Sequence, residues 1–97
     1  MDDYILYNNL YDCYFELLTD KQRKYFEDYY FKNLSLGEMS EDYQISRNAI
    51  YKQIQITTKK LREYEEKLNL YKKKQKLEEI IEQIEDENIK KKLEVLI

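Results

Sequence analysis

Apolar side chains recur three and four positions apart along nearly the whole chain, the period of a helix with one buried face. Tyr7, Leu10, Tyr11, Tyr14, Phe15 and Leu18 follow that spacing and predict a first helix over about residues 4–17, with Asp2 or Asp3 as its cap. Thr19 followed three residues later by Gln22 is a capping box, in which side chains on both sides of a helix start satisfy unpaired backbone N–H groups. It opens a second helix, Asp20 to Phe31, whose Tyr25, Phe26, Tyr29 and Tyr30 are mostly core, and Lys32-Asn33 breaks it. Ser35 with Glu38 repeats the device, and Ser46 caps again eleven residues on. From Leu34 to Tyr51 the pattern is therefore a helix over about 36–42, a turn at Tyr43-Gln44-Ile45, and a new helix from Arg47. Met39, Ile45 and Ile50 are placed to meet in the angle between them, which predicts a helix-turn-helix.

The helix that begins at Arg47 shows no punctuation for a long way. Ile50, Ile54, Thr57, Leu61, Tyr64, Leu68 and Tyr71 are separated alternately by four and three residues, a heptad seam with no Gly or Pro inside it. A helix from Arg47 to Lys74 would be about 42 Å long. The three preceding helices are too short to cover it, so the seam predicts self-association, with Leu61, Tyr64, Leu68 and Tyr71 as the dimer interface. Two further apolar sets, Leu77, Ile80, Ile81, Ile84 and then Ile89, Leu93, Leu96, Ile97, differ in phase. They predict short helices over about 76–85 and 87–96, with Asp86 capping the second.

Composition agrees with an all-α chain. Among 97 residues there is one Gly and no Pro, so the turns of a β protein have nothing to form from. The length suits a single domain over residues 1–97, with 1–60 as the helix-turn-helix bundle and 61–97 as long-helix extension and C-terminal helices. No apolar run is long enough for a membrane span and the N-terminus carries no signal pattern, so a cytoplasmic protein without membrane insertion is expected. Cys13 stands alone on an apolar face, which reads as a structural thiol. Without His, a Gly-rich phosphate loop or a Cys pair, the residues of catalysis and metal binding are missing, and we expect neither an enzyme nor a cofactor or metal. The acids Glu78, Glu79, Glu82, Glu85, Asp86 and Glu87 read as a solubilising run.

Charge changes the picture more than composition does. The net charge is −3, but residues 1–45 hold four basic and ten acidic side chains, 46–76 hold ten and three, and 77–97 hold three and seven. The basic block starts where the second helix of the motif starts, an electrostatic footprint for phosphate. The same block also suits a solvated face that pairs with the acidic ends of the chain. Arg47 and Asn48 carry the groups that match guanine and adenine edges, and Lys52, Gln55, Lys59 and Lys60 are placed for phosphates. Tyr51 lies on the same helix. Equally, Arg47 could pair with Glu38, Glu41 or Asp42, and Tyr51 could pack on Phe26 or Tyr30, the favoured reading for that ring.

The stretches Leu18-Thr19-Asp20-Lys21-Gln22-Arg23, Leu34-Ser35-Leu36-Gly37-Glu38, Ile45-Ser46-Arg47-Asn48-Ala49-Ile50-Tyr51 and Tyr64-Glu65-Glu66-Lys67-Leu68 resemble the bacterial YlxM-type proteins over about residues 4–97. The second and third also resemble region 4 of sigma factors. The resemblance implies an all-α, sigma-region-4-like helix-turn-helix bundle, unrelated to winged helices, with a long recognition helix, two short C-terminal helices and a homodimer made through the C-terminal half. It further implies a regulatory role around the signal recognition particle, with DNA, the particle's RNA or its GTPase as the target. Two positions depart from the usual motif. Ser40 stands where Ala is common, and Gln44 stands where Gly or Asn supplies a left-handed residue, at a cost of roughly 1 kcal/mol if Gln44 adopts that conformation. Two functions are thus carried forward: a nucleic-acid-binding regulator, and a module that contacts the particle's GTPase without nucleic acid.

Overall fold

The computed structural model describes residues 3–97, and every regular element among them is helical. Helix α1 (Tyr4–Tyr14) runs into a 3₁₀ turn at Phe15–Leu17, and α2 (Asp20–Phe26) widens into a π turn at Glu27–Phe31. Then come α3 (Leu36–Tyr43), α4 (Arg47–Leu68), α5 (Leu70–Glu82) and α6 (Glu87–Glu94). The expected all-α fold is present. None of the described helices is long and apolar enough to cross a membrane.

The helix starts follow their capping residues. Thr19 and Gln22 close a reciprocal capping box at α2, and Ser35 and Glu38 do so at α3. Ser46 accepts the Ala49 N–H at 3.1 Å, and Asp86 accepts those of Asn88 and Ile89 at 2.9 and 3.2 Å. At α1 the side chain of Asp3 makes no capping bond, and Asp2 lies outside the described residues.

Two apolar clusters hold the helices together. One gathers Tyr7, Leu10, Tyr11, Tyr14, Leu18, Phe26 and Leu61, with Cys13, Tyr64 and Tyr71 packed on its edge. Its centre is a parallel stack of Tyr11 on Phe26, centroids 4.5 Å apart. The other gathers Tyr25, Met39, Ile50 and Ile54 inside the helix-turn-helix, and Tyr30 packs against both. Cys13 is half-buried, and its desolvation raises the thiol above its ordinary range.

The long helix is shorter than its seam implied. It ends at Leu68, and Asn69 takes the left-handed conformation (φ 54°, ψ 31°) before α5 sets off in a new direction. Of non-glycine residues, Asn pays least for that geometry. The orphan N–H groups at the start of α5 are met from outside the helix. Glu65 accepts those of Tyr71 and Lys72, both at 3.1 Å, and the Tyr14 hydroxyl accepts that of Leu70 at 3.0 Å. The Tyr14 hydroxyl in turn donates to Glu65 at 2.6 Å. The first predicted C-terminal helix therefore begins at Leu70 rather than near residue 76, and the Lys72–Lys76 run lies within its first turns.

The seam also packs differently from the dimer expectation. Ile50, Ile54, Thr57 and Leu61 are all buried in the chain's own core, Leu61 with no exposed surface. Leu61 is therefore a core residue of the single chain, with no surface of its own to present. Tyr64 and Tyr71 are half-buried against the first cluster. Leu68, 44% exposed, is the interface candidate that faces outward.

Candidate nucleic-acid interface

The turn between α3 and α4 has the standard form in spite of its unusual residues. Gln44 is left-handed (φ 57°, ψ 40°), and its side-chain amide donates to the Glu41 carbonyl at 2.7 Å, which offsets part of the cost of that conformation. Ser40 is small enough for the helices to close, and its hydroxyl donates to the Ile45 carbonyl across the turn. Behind it Met39 and Ile50 are fully buried, with Ile45 beside them. The angle of the pair is thus held from inside by apolar contact and at the corner by two side-chain hydrogen bonds.

This corner sets the first turn of α4 at the surface. No acidic residue lies in that turn, so the positive end of the helix dipole meets Arg47 rather than a carboxylate. Arg47 makes no ion pair with Glu38, Glu41 or Asp42. Among the described residues the ion pair within 4 Å is Lys32 with Asp28, at 3.4 Å. The Arg47 guanidinium instead lies over Gly37, close enough that a Cβ there would sit 2.9 Å from its Nη2. The absence of a side chain at Gly37 is what makes room for it. Glu38, the acid of the neighbouring turn, is occupied by its capping box, and the Ser35 backbone N–H followed by the Ser35 hydroxyl lowers its carboxyl below the usual range.

Asn48, Lys52, Gln55 and Lys59 are all exposed and recur at helical spacing, so they form one stripe on α4. Arg62 extends it by a further turn and was missing from the sequence prediction, which stopped at the two adjacent lysines. Its guanidinium lies over the Tyr7 ring, 5.8 Å from the centroid, and donates to the Tyr7 hydroxyl. Lys60 does not belong to the stripe. It is half-buried and about 120° around the helix from Asn48 at 3.6 residues per turn. Tyr51 differs from its expectation in the other direction: it is 49% exposed beside the stripe, and Gln55 donates to its hydroxyl at 3.1 Å. The positions on Phe26 and Tyr30 are taken by other rings, since those two stack on each other at 4.5 Å.

Tyrosine hydroxyls do a second job that composition could not reveal. Tyr11 donates to Glu27, Tyr14 to Glu65 and Tyr43 to Asp28, so three carboxylates of a net-acidic chain are consumed in joining one helix to another. Burial first, then the neighbouring carboxylate, raises all three phenols, Tyr14 to about 12. The acids counted against anion binding are in part interior fasteners. Along the acidic run from Glu78 to Glu87, as elsewhere among the described residues, no three ligating side chains gather as a metal site would require.

A family model, UPF0122, described as "Putative helix-turn-helix protein, YlxM / p13 like", matches residues 1–96. A UPF0122 protein of Halalkalibacterium halodurans is 45% identical over 86 residues, which is 89% of this chain and 79% of the relative. One from Listeria monocytogenes is 46% identical over 84 residues (87% and 76%), and one from Geobacillus kaustophilus 48% over 79 (81% and 72%).

Proposed function

This chain belongs to the UPF0122 family of YlxM/p13-like helix-turn-helix proteins, and from that premise we propose that it is a regulator that binds duplex nucleic acid through α4. The observation that carries the reading is the surface of α4 itself. Arg47, Asn48, Lys52, Gln55, Lys59 and Arg62 are spread over four turns with no carboxylate among them, headed by a helix start that Ser46 caps and no acidic side chain neutralises. Arg47 and Asn48, at the N-terminal end of the helix, are the side chains that reach base edges in this docking mode, and Lys52, Lys59 and Arg62 meet phosphates. The B-form major groove admits such a helix, whereas the A-form one is too narrow and would limit contact to shape and phosphate.

Within this reading the regulated pathway is that of the signal recognition particle, the association that the sequence resemblance implies. A second reading, contact with the particle's GTPase alone, is favoured by the exposed apolar end of the chain, where Val95 and Leu96 are about four-fifths exposed. Self-association, if retained, would use Leu68 with that end and not Leu61.

Binding of the purified protein to promoter DNA, to the particle's RNA and to its GTPase separates these readings. Nucleic-acid binding that is lost in Lys52→Glu with Lys59→Glu, and kept in Lys60→Glu, supports the proposal. Binding to the GTPase with no nucleic-acid signal contradicts it.

A further inference from the structure

A groove of about 670 Å³ runs along α4 beside the basic stripe. One wall is α4, with Tyr51, Lys52, Lys59 and Arg62. The other is Tyr29, from the π turn, and Tyr7, from α1. The π turn shapes that wall. Its wider closure, from the Lys32 N–H to the Glu27 carbonyl, lets Tyr30 stack on Phe26 while Tyr29 stands edge-on to Tyr30 and half-exposed at the groove. Such turns inside a helix are often found at functional sites.

Three cations and no carboxylate line this groove, in a chain with 20 acidic residues against 17 basic. Aromatic rings interleaved with cations suit a single strand: the cations follow the backbone and the rings take base faces, which in a duplex are hidden by stacking. Tyr51 is steadied by Gln55, and Arg62 is held on Tyr7, so both groups are placed before any ligand arrives. We propose that the groove receives an unpaired nucleotide adjoining the duplex, its base stacked on Tyr51 and Tyr29 and its phosphate paired with Lys59 and Arg62. This inference rests on the duplex-binding reading of α4 and names the form of nucleic acid it prefers: a duplex with a single-stranded extension or an unstacked base.

The test uses two probes of one sequence, a blunt duplex and the same duplex with a short single-stranded extension carrying 2-aminopurine. The extension should raise affinity about tenfold, within the range one base-on-aromatic stack supplies, and 2-aminopurine fluorescence should be quenched on binding. Tyr51→Ala should abolish both effects and Tyr51→Phe should keep them, because the ring and not the hydroxyl is what stacks. Tyr51 is half-exposed, so its truncation leaves the core intact. Equal affinity for the two probes with 2-aminopurine unquenched would overturn the inference while leaving duplex binding by α4 standing. Binding of the extended probe through its extension alone would support the groove and contradict the duplex reading. Failure to bind either probe overturns both.

Discussion

At the residue scale, the decisive detail is Gly37, the one glycine in the chain. It is helical, and what it provides is space for the guanidinium of Arg47. The atoms a new Cβ would meet are the far end of a flexible side chain, which can swing away. Gly37→Ala should therefore stabilise the protein by roughly 0.5–1 kcal/mol through helix propensity and move Arg47 outward. Urea denaturation checks this, and a loss of stability would mean that the guanidinium is held over Gly37 more firmly than any contact suggests. Gln44→Gly probes the turn: relief of the left-handed conformation, less the lost bond to Glu41 and the added freedom of the unfolded chain, leaves a gain of about 0.5 kcal/mol. Gln44→Val, β-branched at a positive φ, should instead destabilise by more than 1 kcal/mol. The left-handed requirement at Gln44 was readable from its place in the motif. The resting place of Arg47 was not, because a sequence lists possible acidic partners but not that Glu38 is already occupied.

At the element scale, helix starts were legible and one helix end was not. Thr19, Ser35, Ser46 and Asp86 act on residues two or three positions away, so their effect is local and written in adjacent letters. The break at Asn69 depends on Tyr14, 55 residues earlier in the chain, and on Glu65 turning its carboxylate to the start of α5. The heptad spacing ran through this point because Leu61, Tyr64 and Tyr71 all face the first cluster from two separate helices, which imitates one continuous seam. Tyr14→Phe removes a donor to Glu65 and an acceptor for the Leu70 N–H, and should cost about 1–3 kcal/mol at neutral pH, with faster amide exchange at residues 70–72. The phenol is raised on folding, so its contribution is complete below its unfolded value of about 10. It is lost as pH rises from there through about 12. Stability of the protein should fall over that window, as Tyr11 and Tyr43 act in the same sense, and Tyr14→Phe should fall less steeply.

At the scale of the whole molecule, the two clusters fasten the same face of α4 at two levels along it: Leu61 is held by α1 and α2, and Ile50 and Ile54 are held within the helix-turn-helix. The stripe from Arg47 to Arg62 lies on the face of α4 that this leaves exposed. Leu61→Asp places a charge in the core and should unfold the chain, whereas Leu68→Asp should leave it folded. Sedimentation and circular dichroism together distinguish loss of fold from loss of any dimer. The basic block was visible in the sequence as a charge count, but which lysines share a face could be decided only where α4 is seen to continue as one α-helix past residue 59.

The central claim, that this stripe binds phosphates, is tested most directly by the salt dependence of affinity for a blunt DNA duplex. With Lys52, Lys59 and Arg62 each neutralising one phosphate, log affinity should fall against log salt with a slope of about −3. Lys52→Glu with Lys59→Glu should make the slope shallower by about 2, and Lys60→Glu should leave it close to the unsubstituted value. A slope near zero, or one that Lys60→Glu weakens as much as the double substitution does, would contradict the account.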